Sequence, residues 1–392
     1  MMSRLDRRAF LQTASVAFIA SLARRGWADG GVASAADGGR LTGAEDAFVR
    51  FGSAPQQLAT PLSFMERPIT PTPVFFVRSH FGPPARDPSR KVAITGMVKT
   101  PLTLSAADLG GLPEVTITAV LQCAGNSRAS IVPRVPGVQW SHGAMGQATF
   151  TGVRLKDLLA KAGVDTKAGF VRVSGGDLPP KPTVPGFIRS IPLARAMDPT
   201  TLVATRMNGE PLTLAHGAPM RLIVPGWAGD HWIKWLTTIN VQAEEADGFY
   251  MQTAYRYPTE PVPAGQPVPP EKMKPLTTMP VKSIIGRPEE DGRAAIGVQE
   301  IAGVAFSGDA AIAKVEISLD LGKSWKPATL EGESGVGRWQ VFRHLFEQKT
   351  AGRVTALARA TDRKNNVQPE KGVWNPSGYH WNAWHRVSWE VT

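Results

Sequence analysis

The chain has 392 residues and a single cysteine, Cys123. One thiol excludes an internal disulfide, a haem attached through C-x-x-C-H and an iron–sulfur cluster on four thiolates. Long hydrophobic runs are also lacking. The apolar stretch from Thr13 to Leu22 is too short to span a bilayer, and no later stretch reaches the ~18 uncharged apolar residues of a membrane helix. There is no lysine-rich run and no alternation of aromatic with basic residues along a strand. The formal charge of +11 therefore lacks the pattern of a nucleic-acid binder. Neither C-x2-C nor H-x3-H spacing occurs, so a metal site built from protein groups alone is not indicated. No internal repeat is evident.

What is present begins with Arg7-Arg8-Ala9-Phe10-Leu11, followed by the modest apolar stretch and by small residues near Ala33-Ser34-Ala35. This reads as a twin-arginine export signal over residues 1–35, a receptor-read address and not an anchor. Such export carries folded proteins, often with a cofactor in place, so the expected location is the periplasm. Five arginines and two aspartates precede residue 36, which leaves the remainder at about +8. With nucleic acid set aside, that balance fits a positively charged funnel for a small anion.

The composition includes 39 glycines and 33 prolines, which means many turns and short elements. Residues 36–70 read as an N-terminal arm. A first domain, 71–272, mixes short β runs (Val92 to Ile94, Val115 to Leu121, Arg221 to Val224) with short helices at Leu155 to Lys161 and Leu193 to Met197. Eight prolines between Tyr257 and Pro280 mark an ordered connector. The second domain, 273–392, is different. Val315, Ile317 and Leu319 alternate with polar residues, Gly322 turns the chain, and similar runs follow at Trp339 to Leu345, Arg353 to Arg359 and Val387 to Val391. Period-two patterning with regular turn signals reads as a β-sandwich. The fold class expected for the whole is α+β.

Cys123 follows a β run and enters the turn Ala124-Gly125-Asn126-Ser127, with Arg128 five residues on. Gly125 permits close backbone approach, and a nearby arginine favours thiolate over thiol. Three readings stand: an inert buried thiol, a nucleophile, or one soft ligand to a metal whose other ligands come from an organic cofactor. The seven histidines (His80, His142, His216, His231, His344, His380, His385) form no known cysteine-hydrolase pattern.

Several runs in order resemble the bacterial sulfite oxidase/sulfite dehydrogenase family of molybdopterin enzymes. They are Phe76-Val77-Arg78-Ser79-His80; Gln122-Cys123-Ala124-Gly125-Asn126-Ser127-Arg128; Met207-Asn208-Gly209-Glu210-Pro211-Leu212; His216-Gly217-Ala218-Pro219-Met220-Arg221 with Val224-Pro225-Gly226 and Lys234-Trp235-Leu236; and Trp374-Asn375 with Trp381-Asn382-Ala383-Trp384-His385-Arg386-Val387. The resemblance covers roughly residues 65–392. It implies a sulfite-oxidase-type molybdopterin-binding domain followed by an immunoglobulin-like β-sandwich that serves as a dimerisation domain, and hence a homodimer. Cys123 would be the protein thiolate on molybdenum, with one pterin dithiolene completing the site. Arg78 and Arg128 would face the substrate anion, and Tyr255 would stand beside the reacting oxygen. His80, His216, Arg221 and Lys234 would hold the pterin and its phosphate.

The resemblance implies oxidation of sulfite to sulfate. No haem motif is present, so electrons would pass to a separate c-type cytochrome. Two departures leave the sulfur substrate open. Ser79 replaces the family's usual asparagine. Ser377, in Trp374-Asn375-Pro376-Ser377-Gly378, stands where animal sulfite oxidases carry a second-domain arginine. The sulfane dehydrogenase subunit of the thiosulfate-oxidising complex is a close relative and a competing reading. A methionine-sulfoxide reductase and a non-enzymatic periplasmic binding protein are more distant alternatives.

Overall fold

The computed structural model describes residues 48–392 apart from Ala54. The expected export segment 1–35 and the start of the arm lie outside the described residues. The rest of the arm holds a short hairpin, Val49–Ser53 against Gln56–Ala59, and a single turn at Leu62–Phe64, and a second such turn, Thr72–Val74, opens the first domain.

Two five-stranded sheets follow. The first runs Glu210–Pro211, Leu202–Met207, Met145–Arg154, Glu114–Gln122, with Arg221–Ile223 also paired to Leu202–Met207, all antiparallel. The second runs Leu102–Ser105, Lys91–Gly96, Leu236–Gln242, Phe170–Gly175, Ile188–Pro192, and only its Lys91–Gly96/Leu236–Gln242 contact is parallel. The expected β runs at 92–94, 115–121 and 221–224 lie on these strands. The longest helix among the described residues, Leu155–Ala162, exists because Leu155, Leu158, Leu159 and Ala162 form one buried stripe. It stops at Gly163, whose φ of +71° lets its N–H reach the carbonyls of Leu159 and Ala160. The stripe packs into a core with Phe150, Val173, Leu222 and Ile239.

The C-terminal part is the expected sandwich. One sheet orders Lys282–Arg287, Gly297–Phe306, Gln340–Gln348, Thr329–Glu331. The other orders Arg293–Ala294, His385–Val391, Gly352–Asp362, Ile312–Ser318, Lys326–Pro327. Alternation puts Val315 and Ile317 inward with Ile301, Phe342, Ala356, Ala358, Val387 and Trp389. The proline-rich connector is ordered, with Arg256–Pro258 pairing Met273–Pro275.

A third apolar cluster joins the two parts. Val120 and Met145 come from the first sheet, Tyr255 and Met279 from the connector region, and Phe306, Trp339 and Tyr379 from the sandwich. A strand end and an aromatic segment from distant parts of the chain thus meet at this seam. Among the described residues no helix is long and apolar enough to cross a membrane.

Candidate active site

Strand Glu114–Gln122 ends at the seam and delivers Cys123 there. The Cys123 N–H bonds the Ala144 carbonyl at 2.9 Å, and Asn126 N–H closes the turn on the Cys123 carbonyl at 2.9 Å. The Asn126 side chain braces this turn twice. Its Oδ1 accepts from Ala144 N at 3.0 Å, and its amide donates to Gln122 Oε1 at 3.1 Å. Gly125 is required because a Cβ there would collide with the Arg128 guanidinium. The thiol is partly exposed.

It opens onto a cleft lined also by Arg78, His80, His216, Arg221, Lys234 and Tyr255. On one wall His80 Nε2 lies 2.7 Å from Tyr255 Oη, and Arg78 Nη2 lies 3.5 Å from His80 Nδ1. A guanidinium only donates, so Nδ1 presents its lone pair and Nε2 carries the proton. His80 then donates to the phenol oxygen, and the phenol hydrogen is free to face the cleft. Burial and the Arg78 charge lower the His80 pKa to about 3, so the ring is neutral. Tyr255 is buried at φ +56° and stacks on Tyr379 of the sandwich with centroids 5.3 Å apart and planes 8° from parallel. Burial raises its pKa well above the ordinary value, so it remains a phenol.

Behind Tyr255 lies a buried ion pair. Arg189 Nη2 is 2.8 Å from Asp230 Oδ2 and 3.0 Å from His231 Nε2, and its guanidinium lies 5.4 Å from the Tyr255 ring centroid. Desolvation raises the Asp230 pKa to about 7 against the pull of Arg189. Asp230 Oδ1 faces this environment with no partner.

A second group of lining residues is basic. His216 Nδ1 meets Thr213 Oγ1 at 2.7 Å and its Nε2 meets the Phe75 carbonyl at 3.2 Å. Arg221 donates to the carbonyls of His216 and Trp232, and Lys234 to that of Ala215. Desolvation lowers Arg221 to about 9 and Lys234 to about 7, and His216 to about 3. Neither Arg221 nor Lys234 makes a salt bridge among the described residues, and Arg221 Nε is buried with no partner. Buried cations left this way call for an anion. This group therefore fits the phosphate of a pterin cofactor. Cys123 fits one soft ligand to its metal, because among the described residues no three His, Cys, Asp or Glu gather as a metal site of their own.

Seven of the eight residues predicted for the site line this one cleft: Arg78, His80, Cys123, His216, Arg221, Lys234 and Tyr255. Arg128 does not line it. Its guanidinium donates to the carbonyls of Val138 at 2.8 Å and Ser377 at 2.9 Å and lies over the Tyr379 ring. Sequence reading also missed Asp177, Arg189, Asp230 and Tyr379. Asp230 is next to His231 in Gly229-Asp230-His231, ahead of Lys234, and a carboxylate amid apolar residues was the available signal. Arg189 sits inside an apolar strand, Ile188–Pro192, an equally unusual place for a charge. Four of the eight non-glycine residues with positive φ among those described, Ser127, Trp235, Tyr255 and His380, lie at the cleft or beside it on the seam.

Residues 80–250 match the family model for the oxidoreductase molybdopterin binding domain, and residues 273–392 that for the Mo-co oxidoreductase dimerisation domain. Mitochondrial sulfite oxidase of Rattus norvegicus is 36% identical over 340 residues, covering 82% of this chain and 62% of that protein. The chain thus spans less than two thirds of that relative's length. Sulfite oxidase of Arabidopsis thaliana is 35% identical over 347 residues, covering 81% of this chain and 87% of that protein. The solved structure of the sulfane dehydrogenase SoxCD from Paracoccus pantotrophus superposes with a TM-score of 0.77 at 26% identity, covering 91% of this chain and 92% of that one.

Proposed function

The chain belongs to the sulfite oxidase family of molybdopterin oxidoreductases, and on that premise we propose that it oxidises sulfite to sulfate in the periplasm and passes the electrons to a separate c-type cytochrome. The observation that supports this most is the convergence of the sole thiol, Cys123, with Arg78, His80 and Tyr255 on one cleft that Arg221 and Lys234 also line. The bound cofactor supplies oxygen-atom transfer and a two-electron sink. Overall, sulfite gains one oxygen that water replaces, and two electrons and two protons leave.

The chain's own residues do the rest. Arg78 holds the compact anion by charge-assisted hydrogen bonds. His80 fixes the Tyr255 phenol through its 2.7 Å bond, so the phenol hydrogen points to a reacting oxygen. Phe76, Phe187, Trp232 and Trp235 wall the cleft and keep water from the charged groups. His216, Arg221 and Lys234 hold the pterin phosphate. The twin-arginine run at residues 7–8 supports export, and the dimerisation-domain match supports pairing of two copies.

A second reading, oxidation of a sulfane sulfur, is favoured by one feature. Ser377 gives the anion site no second-domain arginine, and the likeness to the sulfane dehydrogenase runs almost end to end. Natively exported protein, assayed for molybdenum and then for sulfite-dependent reduction of cytochrome c, decides. The expected result is about one molybdenum per chain and reduction that falls at least ~10³-fold in Cys123→Ser. Molybdenum without sulfite activity moves the reading to the sulfane substrate, and no molybdenum from a cofactor-competent host overturns both.

A further inference from the structure

Lys282 opens the first sandwich strand, yet its side chain is buried and turned toward the first domain. Its Nζ donates to Ser127 Oγ at 2.8 Å and to the Trp381 carbonyl at 2.9 Å. Ser127 Oγ also lies 2.8 Å from His142 Nδ1. An ammonium only donates, so Ser127 Oγ accepts from Lys282 and gives its own hydrogen to His142. His142 packs edge-on against His385, with centroids 4.5 Å apart, and His385 Nδ1 accepts from the Ile285 N–H. Lys282 makes no salt bridge among the described residues. Burying an amine-bearing side chain this way carries a desolvation cost that an apolar residue would not incur.

Ser127 itself has φ +69°, a left-handed conformation that a residue with a Cβ disfavours. It lies four residues after Cys123. Two further ties reach the same loop from the sandwich. His380 N–H donates to the Ala124 carbonyl at 3.0 Å, and Arg128 Nε donates to the Ser377 carbonyl at 2.9 Å. Three residues of the turn, Ala124, Ser127 and Arg128, are thus tied to the C-terminal domain, while Asn126 is braced within the first.

We propose that the sandwich is a working part of the cleft: Lys282, through Ser127, is a positioning residue that holds the Cys123 loop in its strained, ligand-presenting form. The clamp stands on the geometry alone. Its consequence for cofactor loading rests on the reading of Cys123 as the protein ligand.

The test is amide hydrogen exchange, read by mass spectrometry, on the full chain purified without cofactor, comparing the parent with Lys282→Met and Ser127→Ala. Exchange in the peptide spanning residues 122–130 is expected to quicken on the order of tenfold in Lys282→Met, and in the same direction in Ser127→Ala, while strand Gly297–Phe306 is unchanged. Alkylation of the sole thiol should quicken in parallel. Arg287→Ala, which removes an exposed ion pair to Glu66, should change neither rate. If Lys282→Met does not fold, Ser127→Ala decides. Exchange within twofold of the parent in folded variants overturns the clamp, as does a uniform rise across the sandwich, which would mark a merely structural lysine. A second readout is molybdenum per chain after expression with cofactor, expected to fall below about half. If the parent itself holds no molybdenum, the ligand reading fails while the exchange result still stands or falls alone.

Discussion

In the sandwich, most charge lies outside and in pairs, and the buried Asp362 is satisfied by Ser307 and Asn366. Arg343 is 3.2 Å from both Glu300 and Glu331, and Arg359 is 3.1 Å from Glu316, while the interior is Ile301, Ile317, Phe342, Val387 and Trp389. In the cleft and along the seam, charge lies inside, and Arg221, Lys234 and Lys282 have only carbonyls or a hydroxyl as partners. The same chain thus obeys the rule of satisfied interiors in one region and departs from it in the other. A departure repeated at three cations, a carboxylate and several neutral histidines is the signature of a site whose missing partner is a ligand, or of a device that holds one.

The largest expected effect tests that contrast collectively. His80, His216, His380 and His385 are each held at about 3 by burial, against an ordinary 6.5. Between about pH 6.5 and 3 the unfolded chain binds protons at these rings and the folded chain does not, so stability falls as pH falls through that window. Asp230, raised to about 7, contributes with the opposite sign and offsets one of the four. Denaturant midpoints of the cofactor-free protein between pH 7 and 4 should decline steadily, and a flat profile would show that the buried histidines do not resist protonation. Next, Trp389→Ala empties the sandwich core and should cost about 3–5 kcal/mol, read by denaturant unfolding, with turnover per folded chain largely kept.

The third effect is on chemistry and not on stability. Tyr255→Phe keeps the stacking on Tyr379 and removes the hydroxyl bonded to His80. Turnover should fall about ten- to a hundredfold, with the unfolding midpoint nearly unmoved. A fall in stability instead would make Tyr255 a core residue first. The smallest is Arg343→Met, which removes half-exposed ion pairs and should shift stability by about 0.2–1 kcal/mol. A loss larger than that would mean the sandwich depends on its surface charges more than the contrast allows.

Much of the fold was legible because it rests on periodicity. Val315 and Ile317 alternate inward, and Leu155, Leu158 and Leu159 share a helical face, so strand and helix follow from spacing that any local window contains. The cleft was legible where its residues sit in short ordered runs, as Cys123 and His80 do. Arg128 shows the limit. Its place next to the cysteine loop suggests an anion contact, and what the sequence does not show is that its Nε and Nη1 donate to the Ser377 and Val138 carbonyls, the former 249 residues away. Arg189 is unusual as a charge within an apolar strand, but its pairing was not legible, since its partner Asp230 is 41 positions further along and on another element.

What the sequence alone determined is therefore the class: a β-rich α+β chain with one thiol at a strand end and a second, sandwich-like half. What only the tertiary structure decided is which charges are buried and what they face. Lys282 meets Ser127 across 155 residues, and Tyr255 meets Tyr379 at the seam. Periodicity is a property of neighbouring residues, whereas the cost of a charge depends on its distance from water and from an opposite charge, and folding alone sets those distances.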